Sequence, residues 1–344
     1  AASSMDLDPR ALALNLVANN AAAQAGQTAP LRIVRQQTLA PLEVNGHKYL
    51  RLHDLGVNAS SFTSVYLVAS QRDTGDTDLH GRGRRRELVV KQIGPIKEEA
   101  LLDNAQRELD ILNKLKEREH ASSHIIGLVD SEWKESSEGR RQLSLVLEYG
   151  GGGTLDDWGS AAHRSPLALL AVAEQVIACI GWLHAQGVVH LDVKPANFVF
   201  FQQGKLKLID MGVARDLPLS ERITLAEPFP GSINFIAPEA IMGEPYSLSA
   251  KTDIWAVGCL LYALVAGSTP FPKNPGKNLQ AQRAVLASGT VETHLAAAVD
   301  TLRASELGAV CIDLFCSCMH VDPAQRASAV ELVQHPALKF EGAR

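Results

Sequence analysis

The longest uninterrupted apolar run in this chain, Ile254 to Gly267, is too short to span a bilayer. It starts beside Asp253 and reads as a buried core helix, so no membrane partner is expected. Cysteine is sparse. The five residues Cys179, Cys259, Cys311, Cys316 and Cys318 are odd in number, and no secretory signal stands ahead of them. That points away from a disulfide framework and sets the expectation of buried free thiols in a reducing compartment, inside the cell in cytoplasm, nucleus or both. Cys311, Cys316, Cys318 and His320 have a zinc-like flavour, but a second ligand pair is lacking. Val310, Leu314 and Phe315 between them fit an apolar helix instead. Excess positive charge is also missing. Lys and Arg number 33 against 38 Asp and Glu, for a net charge of -5, which argues against nucleic acid as the main partner. Internal repeats are absent.

What is present is a globular composition, with 46% hydrophobic and 21% charged residues in 344. That length suits two domains or one large two-part unit. Residues 1–43 read as an extension: Ala1 to Ser4 as a cloning remnant ahead of Met5, then a short helix from Asp8-Pro9, then a linker. From Val44 the pattern turns to strands, at Tyr49–Leu55 and Ser64–Ala69, followed by a polar, arginine-rich loop over 71–86. Leu88-Val-Val-Lys91 is a strand. A helix is expected from Pro95 to about Glu119, with Leu101, Ile111, Leu112, Leu115 and Glu108 on its inward stripe. A carboxylate on a buried face needs a cation, and Lys91 is the natural one. Two more strands are expected at Ser123–Asp130 and Leu143–Tyr149. Gly150 to Gly153 suit a hinge, Leu155 to Trp158 start a helix, and Pro166 to Gln186 form a long one that Gly187 ends.

The densest chemistry lies in His190-Leu-Asp192-Val-Lys194-Pro-Ala-Asn197, followed by Asp210-Met211-Gly212. Two acids, a lysine, an amide and a turn glycine are the set that phosphoryl transfer from a metal-bound nucleotide requires. One carboxylate orients the attacking hydroxyl and a cation offsets the moving charge. An amide and a second carboxylate hold magnesium. Each piece alone is common. His190 alone would be an ordinary core histidine, and Asp-x-Gly a turn. In order with Lys91 and Glu108 upstream and Ala237-Pro238-Glu239 downstream, they are not accidental.

Over about residues 44–338 the chain resembles the eukaryotic protein kinase superfamily. Within it, Val44-Asn-Gly-His-Lys-Tyr-Leu-Arg-Leu, Arg107-Glu-Leu-Asp-Ile-Leu-Asn-Lys-Leu, Lys194-Pro-Ala-Asn-Phe, Lys205-Leu-Lys-Leu-Ile-Asp210, Gly231-Ser-Ile-Asn-Phe and Asp322-Pro-Ala-Gln-Arg-Ala-Ser resemble the monopolar-spindle checkpoint kinases. Those are dual-specificity enzymes acting at kinetochores, and this chain would be a divergent member. The resemblance implies an α+β bilobal fold: an antiparallel-sheet N-lobe with one regulatory helix over 44–149 and a mainly helical C-lobe over 150–340. It implies ATP and Mg2+ as cofactors. Its implied partners are protein substrates, with kinetochore or regulatory proteins by family likeness. ATP is expected at Glu148 to Gly150, with Val65, Val89 and Val199 around adenine and Leu147 as gatekeeper. Lys91, held by Glu108, would meet the α/β-phosphates. Asn197 and Asp210 would hold magnesium, Asp192 would orient the acceptor hydroxyl, and Lys194 would neutralise the γ-phosphate. Glu239 and Arg326 would pair to anchor the activation segment, and Asp253 would hold the catalytic-loop backbone. Ser232 would bond that loop. Ser220, Thr224 and Ser232 are candidate phosphosites.

Three departures from the family pattern stand out. Leu191 replaces the arginine many kinases carry there, and Met211 replaces phenylalanine while still able to stack with Leu112, Leu128 and His190. The loop Gly56-Val-Asn58-Ala-Ser60-Ser-Phe62-Thr63 keeps Phe62 and Val65 but has Asn58, Ser60 and Thr63 where glycines would cradle phosphates. The alternative is therefore a pseudokinase scaffold that acts through protein contacts.

Overall fold

The computed structural model describes residues 40–58, 62–70, 86–158, 165–217, 222–225, 231–242, 246–272 and 278–339. The N-terminal extension to residue 39, most of the arginine-rich loop, Ser60 and Ser220 lie outside them. The described residues divide into two compact units, on either side of the Gly150–Gly151 bond.

The first unit is a six-stranded antiparallel sheet with one long helix. Its strands are β1 (Leu42–Val44), β2 (His47–Asn58), β3 (Thr63–Ser70), β4 (Glu87–Ile96), β5 (Leu128–Glu135) and β6 (Arg141–Glu148), in the order β1-β2-β3-β4-β6-β5. β1 and β2 meet at Asn45-Gly46, both at positive φ, 48° and 74°. A two-residue Asn-Gly hairpin turn needs that conformation at both positions, because its twist then matches the strands. Alternation along the strands sends Val44, Tyr49, Val68, Leu88, Val90 and Val146 into one core. On the opposite face, Lys91 of β4 stands across from Val65 and Leu145 in register, and Val89 across from Leu67 and Leu147.

Helix α1 spans Glu99–Lys116, three turns of which carry the buried stripe Ala105, Glu108, Leu109, Ile111, Leu112 and Leu115. It begins four residues later than Pro95, which belongs to β4, and Leu101 is only half-buried. Glu98, not the proline, stands at its N-cap. The expected strand from Ser123 is a short helix, α2 (Ala121–His124), before β5 begins at Leu128.

The second unit is helical with three two-stranded sheets. Leu155 to Trp158 form turns rather than a helix, fixed by Thr154 Oγ1 donating to Asp157 Oδ2 at 2.7 Å. Helix α3 (Pro166–Ala185) starts with Ser165 accepting from Ala168 N and a proline at its first position, the favoured chemistry for a helix entry. By length and composition α3 could cross a bilayer, with mean hydropathy 1.8. Here Leu169, Val172, Val176, Ile180 and Leu183 are buried inside the unit, so it serves as its core helix. Short strands follow: β7 (Val188–Val189), β8 (Phe198–Phe200), β9 (Leu206–Leu208), β10 (Arg215–Asp216), β11 (Ile223–Leu225) and β12 (Tyr246–Leu248). They pair β7 with β10, β8 with β9 and β11 with β12. Helix α4 (Ala250–Ala266) is capped by Ser249 and Thr252 at its start and by Gly267 at φ +71° at its end. The remaining helices are α5 (Leu279–Val285), α6 (Thr290–Arg303), α7 (Glu306–Ala309), α8 (Ile312–Cys318) and α9 (Ala329–Val333). Cys311 and Cys318 are buried about α8 while Cys316 is exposed.

Candidate active site

In the second unit, residues 190–197 form a loop between β7 and β8. Leu191 sits at φ +64°, a left-handed conformation that costs a non-glycine residue on the order of 1–3 kcal/mol unless its surroundings hold it. Asp253, one turn into α4, does the holding. Its Oδ1 accepts from Leu191 N at 2.7 Å and its Oδ2 from His190 N at 2.8 Å. The His190 ring is fully buried. Asp192 N donates to its Nδ1 at 3.2 Å, so Nε2 carries the proton and donates to Ile209 O at 3.1 Å. One imidazole thereby ties the loop to the residue preceding Asp210.

Asp192, Lys194, Asn197 and Ser232 converge. Lys194 Nζ lies 2.7 Å from Asp192 Oδ2 and 2.9 Å from Ser232 Oγ. Ser232 N donates to Asp192 Oδ1 at 2.8 Å. Asn197, buried, commits its Nδ2 to Asp192 O and Oδ2 at 2.8 and 3.1 Å. The carboxylate is thus fixed in orientation with a cation at its side. Asp210 is exposed and itself at φ +64°, and Met211 after it is buried. Val199, half-buried, is in β8, bridged to Thr154. Thr224 is exposed on β11.

Glu239 and Arg326 form a two-pronged pair, 2.7 Å from Nη1 to Oε1 and 3.0 Å from Nη2 to Oε2. The Arg326 side chain is fully buried. Its remaining donors reach Lys251 O at 2.6 Å and His320 O at 3.1 Å. Lys251 Nζ in turn donates to Arg326 O.

In the first unit, Lys91 Nζ lies 2.7 Å from Glu108 Oε1, with the glutamate 3% exposed. Lys91 and Val89 share one face of β4 with Val65 of β3, all three half-buried. Leu147 is buried at the end of β6, followed by half-buried Glu148 and Gly150. Glu148 N donates to Gly127 O at 3.0 Å. Asn58 ends β2 in register with Thr63. Phe62, at φ +52°, is 45% exposed.

Sequence reasoning missed His184. Its Nε2 lies 2.8 Å from Asp253 Oδ2, and both side chains are shut off from water. Burial raises the Asp253 carboxyl, but the His184 hydrogen bond and charge, with His190, outweigh it, and the pKa falls below the usual aspartate value. The signal was available: a polar residue on the otherwise apolar stripe of α3 must find a partner.

The family description "Protein kinase domain" matches residues 78–338. Similar proteins include the serine/threonine-protein kinase MPS1 of Encephalitozoon cuniculi, 28% identical over 57% of this chain and 31% of its own length. The serine/threonine-protein kinase cds1 of Schizosaccharomyces pombe is 32% identical over 67% of this chain and 47% of its own. The dual specificity protein kinase Ttk of Danio rerio is 30% identical over 70% of this chain and 23% of its own. The chain thus spans less than half the length of each of these three relatives.

Proposed function

This chain belongs to the protein kinase family, and from that premise we propose that it transfers the γ-phosphate of Mg-ATP to serine and threonine hydroxyls of proteins. The observation that carries the reading is the bonded set Asp192, Lys194, Asn197 and Ser232. Asp192 orients the acceptor hydroxyl and takes its proton. Lys194, already beside that carboxylate, offsets the charge of the moving phosphoryl group. Ser232 keeps both in place. Lys91, steadied by Glu108, serves the α/β-phosphates. Val65, Val89 and Leu147 supply apolar surface for adenine in the first unit, and the backbone of Glu148 to Gly150 its polar edge; Val199 keeps the adenine role that the family resemblance implies for it.

The donor chemistry suits magnesium, which takes hard oxygen ligands and one or two carboxylates. Asn197 spends its amide N–H groups on Asp192, so its carbonyl oxygen is the end it offers a metal, and Asp210 brings the carboxylate. A magnesium ion held by Asn197 and Asp210 would supply positive charge to offset that of the phosphate oxygens.

The likeness to relatives named MPS1 and Ttk extends the proposal to spindle-checkpoint substrates, and to tyrosine as a further acceptor. Autophosphorylation at Ser220, Thr224 or Ser232 belongs to the same reading. For Ser232 it would first require the hydroxyl to leave Lys194. One observation favours a second reading, a pseudokinase scaffold: Asn58, Ser60 and Thr63 stand where backbone would have to approach phosphates closely. Incubation with Mg-ATP and a generic protein acceptor decides between them. Transfer that Asp192→Asn abolishes supports the enzyme. A melting shift with ATP and no transfer supports the scaffold.

A further inference from the structure

β1 and β5 are the two outer strands of the first unit's sheet, five places apart in the strand order. They nevertheless touch. Asn45, at the tip of the β1–β2 hairpin, donates Nδ2 to Asp130 Oδ1 at 2.6 Å and to Ser131 O at 2.9 Å. Its backbone N–H donates to Glu132 Oε2 at 3.0 Å. His47 Nδ1 lies 3.3 Å from Asp130 Oδ2, and Lys134 Nζ donates to Glu43 O at 2.5 Å. The sheet is rolled until its edges meet, and Val44, fully buried, plugs the seam from inside. The hairpin is therefore fastened by packing as well as by its polar tip.

β5 is fastened on its other side too. The Trp133 indole N–H donates to Gln106 Oε1 of α1 at 3.0 Å, and the Arg141 guanidinium lies 4.6 Å over the indole ring. Gln106 is two residues from Glu108, whose carboxylate meets Lys91. Hairpin, β5, Trp133 and Gln106 are therefore linked side chain to side chain, and the backbone of α1 carries the link on to Glu108 on its buried face. The hairpin precedes residue 78, where the protein kinase match begins.

We propose that the β1–β2 hairpin is a clasp that sets the position of β5 and, through Trp133 and Gln106, of α1 with its Glu108. Asn45, Asp130 and Trp133 are then positioning residues for the Lys91–Glu108 pair. A clasp that only covered an exposed sheet edge against pairing with another chain would need no link to α1.

Hydrogen exchange on the full chain separates these. Asn45→Gly keeps the positive φ and removes the side-chain bonds. It should speed exchange by at least about threefold to tenfold, the range for a single one of the two hydrogen bonds lost, in 42–49, in 128–135 and in 99–116. Trp133→Phe should speed 99–116 alone. In the double variant 99–116 should be no faster than in Trp133→Phe, because the same link is already cut. Should Asn45→Gly fail to fold, Lys134→Met, a milder opening, should give the same pattern at lower amplitude. An unchanged 99–116 in the single hairpin variant overturns the proposal, as does additivity in the double. The activity readout rests on the kinase reading above: KM for Mg-ATP should rise about threefold at constant kcat. A wild type that transfers no phosphate overturns that reading and leaves the exchange pattern to decide the clasp.

Discussion

His184 Nε2 donates to Asp253 Oδ2 across 2.8 Å in a region with no access to water. The same carboxylate holds Leu191 in its left-handed conformation and so sets where Asp192 begins. A charge-assisted bond of this kind is worth roughly 1.5–3 kcal/mol. His184→Leu should lower kcat about tenfold with KM for Mg-ATP unchanged, and His184→Gln, which keeps a donor, should recover most of it. Steady-state kinetics on the two variants checks this. Equal losses would assign His184 to packing alone.

Glu239 and Arg326 should behave as a buried pair whose value appears when one member is removed. Glu239→Ala leaves a fully buried guanidinium facing two carbonyls. The expected cost is roughly 3–5 kcal/mol, the range for breaking a buried ion pair. A domain of this size loses about 2–4 °C in Tm per kcal/mol, so a scan by calorimetry resolves it.

Asp253 gives the pH dependence. Its folded pKa lies below the ordinary 3.8, because the His184 hydrogen bond outweighs burial. The unfolded state therefore binds the proton more readily. The stability this carboxylate contributes is complete above about pH 5 and is lost as pH falls below 3.8 through the folded value. Urea unfolding from about pH 5 to pH 3 should show that loss in the wild type, and Asp253→Asn should remove it from the difference curve.

The thiols should divide by burial. Desolvation pushes Cys179 and Cys318 up to about 12 and Cys311 to about 11, and raises Cys259 as well. Cys316, exposed, is raised too, by partial burial and then Asp313. Iodoacetamide near neutral pH should label Cys316 first and the others only on unfolding. Peptide mapping by mass spectrometry reads the order.

The parts that could be read in the sequence were those where chemistry forces a spacing. Asp192, Lys194 and Asn197 must share a short loop, and buried Glu108 must have a cation, so Lys91 was legible from burial alone. Asp253, Glu239 and Arg326 were legible only through the kinase resemblance, because their partners lie far along the chain. What the residues hid was geometry set by distant chain. Pro95 signals a helix start locally, but pairing with β6 keeps β4 extended through Ile96. Leu155 to Trp158 look helical until Thr154 and Asp157 close a turn. The meeting of β1 with β5 depends on sheet curvature, which no local pattern encodes.

In the proposed reaction Asp192, oriented by Lys194, Asn197 and Ser232, positions the acceptor hydroxyl and takes its proton as phosphate is transferred from ATP. The direct measurement is 32P transfer from Mg-ATP to a protein acceptor by wild type and Asp192→Asn, with the Tm of both. The expected result is transfer by the wild type and a loss of at least about a hundredfold in the variant at near-equal Tm. Equal transfer by both proteins, or none by a folded wild type, would contradict it.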